Sequence, residues 1–284
     1  MRYGVSLWLW TSPITNNVIE NYAPKIARMG FDTLEIPIEE PGELDCSNAR
    51  KIVEDCGMDL TTCAAMGPGR DLIHPEQEIR NQGMDYVKSS LMDASELGAK
   101  KFVGPLCSEI GRLWQSDGEQ RERETELLVS QLHHLAEEAE SRGITLCLEA
   151  LNRFETSFLN LTSQVVEVVE KVDHPSCQVM IDLFHAGIEE KDLGDAIRTA
   201  GDKLSHLQVA ENDRGTPGTG QFDWQGIAVA LKEINYDSHV IIETFSKDNE
   251  LLAKAAAIWR PLAESPDQLA SDGLSFIKDL LGNH

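Results

Sequence analysis

Basic residues are scarce in this chain: 25 Lys and Arg stand against 48 Asp and Glu, for a formal net charge of −23. A surface this negative repels nucleic acid and anionic lipid, so neither is expected as a partner. A phosphorylated substrate would need a local basic pocket, and the GxxxxGK[ST] phosphate loop is missing. Cysteine is sparse too. Cys46, Cys56, Cys63, Cys107, Cys147 and Cys177 are scattered, with no CxxC pair. That pattern argues against a zinc site or a disulfide framework and reads as free thiols in a reducing compartment. No apolar run approaches the roughly 20 residues that span a bilayer. The opening Met1-Arg2-Tyr3-Gly4-Val5-Ser6 also lacks the apolar stretch of a signal peptide. The expected location is cytoplasmic.

What is present is alternation. Short apolar runs near 3–9, 32–38, 59–65, 101–106, 144–149, 177–182, 203–210 and 239–243 predict strands. Between them, amphipathic stretches near 18–29, 46–56, 76–97, 120–142, 162–172, 190–200, 224–234 and 250–259 predict helices, with one more at 267–281. Glycines such as Gly30, Gly57, Gly98 and Gly143 sit where helices should stop. Strict strand–helix alternation argues a parallel sheet. Eight units are the number that closes an α/β (β/α)₈ TIM barrel, and 284 residues suit one such domain spanning 1–284. An open doubly wound sheet is the alternative. It would be favoured by a GxGxxG turn after the first strand, which is absent.

Barrel chemistry sits at the C-terminal ends of strands. Three predicted strands end there in an acid: Ile144–Leu148 in Glu149, Val179–Ile181 in Asp182 and Val240–Ile242 in Glu243. A lone strand-end acid is commonly a helix cap. Three acids on four consecutive strands would repel one another unless a cation lies between them. An oxygen-rich cluster of this kind selects Mg²⁺ or Mn²⁺, and added nitrogen donors tilt it toward Mn²⁺ or Co²⁺. Strand seven carries His206 and Gln208 two apart, hence on one face. Trp8, Trp10 and Trp114 follow strand ends, where they could stack on a sugar ring or simply line the mouth.

These residues resemble a known family. Glu149-Ala150-Leu151-Asn152-Arg153-Phe154-Glu155 resembles the E-x-x-N-R-F-E motif of the ketose 3-epimerases, the D-tagatose/D-psicose 3-epimerase family of the xylose-isomerase-like TIM barrel superfamily. Asp182-Leu183-Phe184-His185 followed by Ile188-Glu189-Glu190, Glu211-Asn212-Asp213-Arg214 with Pro217-Gly218, and Glu243-Thr244-Phe245 resemble its other motifs in order. The resemblance covers most of the chain and is densest from 144 to 245. It implies an isomerase that epimerises a ketose or related keto-sugar by proton transfer through an enediolate. Glu149 and Glu243 would be both metal ligands and proton-transfer bases, and Asp182 a third ligand. His185, Arg214 and Glu155 would bind substrate, with Trp8 and Trp114 as sugar-facing aromatics. The metal implied is divalent, with Mn²⁺ first and Mg²⁺ or Co²⁺ as alternatives. The partners implied are a small-molecule sugar and further copies of the chain, as a homodimer or homotetramer.

The family's fourth ligand is the second His of an H-x-H on strand seven. Here that position is Gln208, whose amide oxygen binds a hard ion more weakly than imidazole binds Mn²⁺ or Co²⁺. His206 lies one layer deeper, and either residue could complete the set. The departure leaves room for an isomerase or lyase acting on an inosose or 3-keto-glycoside, or for a non-catalytic carbohydrate-binding relative.

Overall fold

The computed structural model describes residues 1–282, so the expected span of 1–284 ends at two residues outside the described ones. Eight parallel strands close in sequence order: β1 (Arg2–Ser6), β2 (Thr33–Pro37), β3 (Asp59–Cys63), β4 (Lys101–Gly104), β5 (Thr145–Leu148), β6 (Cys177–Asp182), β7 (Leu204–Val209) and β8 (His239–Ile242). β8 pairs with β1 through Arg2 opposite His239 and Val5 opposite Ile242, which shuts the barrel and leaves no edge strand.

Ten α-helices surround the barrel among the described residues: α1 (Asn16–Met29), α2 (Cys46–Asp55), α3 (Gln77–Glu96), α4 (Gly118–Ser141), α5 (Thr162–Val172), α6 (Leu183–Glu189), α7 (Leu193–Ala200), α8 (Trp224–Glu233), α9 (Glu250–Ala255) and α10 (Pro266–Leu281). Their starts follow capping chemistry. The side chains of Thr15, Asp45, Asp117, Asp192, Asp223 and Ser265 each accept a backbone N–H of the first turn. Gly30 ends α1 in the left-handed region at φ 95°. None of the described helices is long and apolar enough to cross a membrane.

Two features differ from the expectation. The helix expected over 190–200 is α7, and a further short helix, α6, precedes it because Asp182 ends β6 and immediately caps it. The first strand stops at Ser6, and Leu7–Leu9 form a 3₁₀ turn that swings Trp8 over the barrel mouth. The free thiols are as expected, with Cys56 alone of the six only partly buried.

The main core lies between strands and helices, where residues such as Leu34, Ile36, Phe102, Leu146 and Leu207 are fully or almost fully covered. Inside the barrel, Cys63, Val103, Cys147 and Met180 form a small apolar cluster. Much of the rest of the lumen is polar, and Glu35, Thr61, His206 and Gln208 are all buried there. Backbone is drawn close beneath the mouth at Gly104, which sits at φ 138°. A Cβ there would lie 2.2 Å from the Ala64 carbonyl oxygen. Only glycine fits, and its carbonyl accepts the Glu149 N–H at 3.0 Å, fixing the backbone from which that acid projects.

Candidate functional site

A cavity of about 210 Å³ opens at the C-terminal ends of the strands. Its lining divides between the two halves of the barrel. The first four strands and their loops supply Trp8, Cys63, Ala64, Gly104, Pro105 and Ile110. Strands five to eight supply Glu149, Glu155, His185, Gln208, Arg214 and Glu243, together with Phe184 and Phe245.

Each charged group has a structural reason for its place. Glu149 and Glu243 follow directly on β5 and β8, so their backbones are held by the barrel ladder. Asp182 uses Oδ1 to accept the Phe184 N–H at 2.8 Å as the α6 cap, which leaves Oδ2 for the site. His185 lies one helical turn on, with Nε2 3.6 Å from Asp182 Oδ2 and 3.8 Å from Glu149 Oε1. Arg214 arrives on the loop after β7. It adopts φ 66°, in the left-handed region, and the Thr244 hydroxyl donates to its carbonyl. The loop is cinched by Glu211, which is fully buried and accepts N–H groups from Trp224 at 2.5 Å, Gly218 at 2.9 Å and Asn212 at 3.2 Å.

The Arg214 guanidinium then reaches into the acids. Its Nη1 donates to Asp182 Oδ2 at 2.6 Å and to Glu243 Oε2 at 3.0 Å, and its Nη2 stands 3.0 Å from His185 Nε2. Phe184 and Phe245 offer it their ring faces at 4.2 and 5.2 Å.

The electrostatics follow from this packing. Burial, reinforced by Asp182 and then Glu243, pushes the Glu149 carboxyl well above the ordinary range. Burial raises Glu243 to about 8, with Arg214 pulling down and Asp182 and Glu35 pushing up. Burial lowers His185 to about 3, so its imidazole is neutral. Burial works against the Arg214 charge, but Asp182 and Glu243 more than offset it and its pKa is raised.

Gln208 takes a defined orientation. Its Nε2 donates to Glu35 Oε1 at 2.7 Å and to Glu243 Oε1 at 3.2 Å. Turning the amide over would set its oxygen against two carboxylates, so the N–H end stays with the acids. Oε1 is then the atom left free for a ligand role. His206 is on the same face one layer deeper, with Nε2 2.9 Å from Glu35 Oε2 and no exposure. It belongs to the lumen beneath the cavity, as its deeper layer suggested.

The donor chemistry fits a hard divalent cation. Ligand atoms of Glu149, Asp182 and His185 lie within 4.8 Å of one another, and so do those of Glu35, Cys63 and Glu243. Glu35, Glu149, Asp182 and Glu243 are all buried, whereas Arg214 is the one Lys or Arg among the cavity-lining residues. That deficit of positive charge is what a dication would correct.

Of the aromatics, Trp8 lines the cavity, held by an N–H bond to Glu39 Oε1 at 2.9 Å and lying against Phe245 at 6.0 Å between centroids. Trp114 does not line it. It is 45% exposed and receives the Arg112 guanidinium on its ring at 4.5 Å. Trp10 bonds Asp267 at 2.8 Å, away from the cavity. Glu35 was not singled out from the sequence. An acid inside the apolar run Leu34-Glu35-Ile36 was the signal available.

Comparison with known proteins gives concordant results. Residues 23–280 match the family model described as xylose isomerase-like TIM barrel. The chain is 33% identical to the D-psicose 3-epimerase of Agrobacterium fabrum, over 99% of this chain and 100% of the relative. It is 29% identical to the L-ribulose 3-epimerase of Mesorhizobium japonicum, over 97% and 93%. The crystal structure of the D-psicose 3-epimerase of Clostridium cellulolyticum with D-tagatose superposes with a TM-score of 0.89 at 29% identity, covering 99% of both chains.

Proposed function

Because the chain belongs to the xylose isomerase-like TIM barrel family, and within it to the ketose 3-epimerases, we propose that this isomerase inverts the carbon beside the carbonyl of a free ketose, using Glu149 and Glu243 as the two proton-transfer groups. One observation carries the reading. Two buried carboxyls face a single cavity from the ends of strands β5 and β8, and burial raises both above the ordinary carboxylate range. A base and an acid at the two faces of a planar centre can remove a proton from one side and return it on the other.

The metal set in this reading is Glu149, Asp182, Glu243 and the amide oxygen of Gln208, with Mn²⁺ as the first choice and Mg²⁺ or Co²⁺ as alternatives. When bound, such an ion supplies Lewis-acid stabilisation of the negative charge that develops on the substrate oxygen. The chain's own residues do the rest. Neutral His185 and the Arg214 guanidinium donate to the substrate oxygens that carry enediolate charge. Glu155, partly exposed at the rim, receives a distal hydroxyl. Trp8 and Phe245 cover the apolar face of the sugar. The whole span 1–284 acts as one cytoplasmic barrel domain that assembles as a homodimer or homotetramer.

A solvent-deuterium exchange screen with added Mn²⁺ tests this reading. D-Psicose, D-tagatose and L-ribulose are expected to gain one deuterium at C3 and to yield their C3 epimers. Exchange confined to an inosose or a 3-keto-glycoside would replace the ketose reading, and tight sugar binding without any exchange would sink it.

A second expectation concerns Gln208. Gln208→His should raise affinity for Co²⁺ and Mn²⁺ by about tenfold or more, the scale of ~1.4 kcal/mol from one better ligand, and should leave Mg²⁺ almost unchanged. Competition against a chelating dye would read this out. Equal shifts for all three ions would remove Gln208 from the coordination sphere.

A further inference from the structure

We propose that Asn152 is a positioning residue that locks His185 in the tautomer with its proton on Nε2, so that this ring can only donate toward the substrate. The inference rests on the reading of His185 as a substrate donor. It extends that reading to a residue whose own side chain does not line the cavity.

The argument begins at the backbone. The Asn152 N–H points at His185 Nδ1 across 3.2 Å. A backbone N–H cannot turn round or accept, so Nδ1 must offer its lone pair. The Asn152 side chain repeats the instruction, with Nδ2 2.8 Å from the same nitrogen.

An amide can be built either way round, but this one is pinned. Its Oδ1 accepts the Phe154 N–H at 2.9 Å, and its Nδ2 also donates to Glu155 Oε1 at 2.9 Å. A turned amide would face an N–H with its own N–H and a carboxylate with its oxygen. Glu155 Oε1 is 4.0 Å from Nδ1, too far to draw a proton there. Asn152 is buried, so no water competes for these contacts.

With Nδ1 committed as acceptor, a neutral imidazole carries its hydrogen on Nε2. That nitrogen stands 3.0 Å from Arg214 Nη2, which is also only a donor. Two donors that close with no acceptor between them define where an anionic oxygen is best received. The other tautomer would satisfy Arg214, but it would set Nδ1–H against the fixed Asn152 N–H. The structure therefore assigns the conflict to the side of the ring where substrate enters.

Asn152→Asp tests the lock. A carboxylate beside Nδ1 accepts and cannot donate, so the proton is drawn to Nδ1. Asn152→Ala keeps the backbone N–H and should keep the tautomer. Long-range ¹H–¹⁵N spectra of the metal-free protein, with His185 assigned through His185→Gln, report the proton directly. Wild type and Asn152→Ala should show an unprotonated Nδ1, and Asn152→Asp a protonated one. With Mn²⁺ and D-psicose, Asn152→Asp should lose about 10²-fold or more in kcat, and Asn152→Ala less than about tenfold.

A wild-type spectrum with the proton on Nδ1 overturns the lock whatever the enzyme does, and an Asn152→Asp spectrum identical to wild type overturns the side chain's share in it. If Asn152→Asp does not fold, the wild-type and Asn152→Ala spectra still decide. A switched spectrum with undiminished kcat supports the lock and overturns the role of His185 as a substrate donor, which separates the two failures.

Discussion

Glu243→Gln should lower kcat by about 10³-fold and at the same time stabilise the metal-free protein. The loss follows from removing one of the two proton-transfer groups, a type of contribution that spans roughly 10²–10⁴. The gain follows from the same carboxylate's surroundings. Glu243 is buried beside Asp182 and Glu35, with Arg214 as its one direct cationic partner. An amide of equal size keeps the shape and is neutral without the proton uptake that burial beside other acids forces on the carboxyl. Single-turnover deuterium exchange separates the two bases. If only one ketose epimer is tested, Glu243→Gln and Glu149→Gln should differ. The variant that keeps the base for that epimer still washes out its C3 proton, and the other does not. The measurements are kcat, exchange from each epimer and the unfolding temperature without added metal. A Glu243→Gln enzyme with more than a tenth of wild-type kcat would remove Glu243 from the chemistry.

The second large effect is a pH-dependent instability of the metal-free protein. Glu243 titrates near 8 in the folded chain against an ordinary 4.5, and Glu149 is raised as well. Across that interval the folded state holds protons that the unfolded chain has released. Stability is therefore full below about pH 4.5 for these groups and is lost as pH rises through about 8. Glu35 works in the opposite sense. Burial opposes its charge, but His206, Gln208 and Thr61 lower its pKa, so its contribution fades only as pH falls below the ordinary range. In chelator, Tm should drop on the order of 5 °C or more between about pH 5.5 and about pH 8. Saturating Mn²⁺ should flatten the curve and add about 2.7 kcal/mol at a free concentration of ~100 times Kd. A chelated protein with a flat Tm over this range would show that the acids are not mutually destabilising.

Much of this molecule could be read from its residues, for identifiable reasons. Glu149, Asp182 and Glu243 were legible because each ends a clean apolar run, and a closed parallel barrel presents every such end on one face. Glu35 was not. A charge in the middle of an apolar strand reads as a surface position until the barrel interior is known to be polar. Helix α6 escaped because it is only seven residues long and its cap is also a strand-end acid, so no separate start signal precedes it. The setting of Trp114 was not legible for another reason. Its position after a strand end does not say how the loop folds back, and Arg112, paired with Glu124 at 2.6 Å, stacks on its ring. The role of Asn152 needed distances, since nothing in its motif says which nitrogen of His185 it faces.

The split lining of the cavity has a consequence for how such an enzyme diversifies. Among the described lining residues, every carboxylate, imidazole and guanidinium comes from strands five to eight and the segments that follow them, whereas the wall from strands one to four is aromatic, aliphatic, thiol or bare backbone. Changes around Trp8, Ala64 and Ile110 can therefore alter which sugars fit without touching the apparatus that moves protons. Lineages can drift among substrates through one half of the barrel while selection holds the other half still, and directed evolution of a new sugar preference has its natural library in those first four strands.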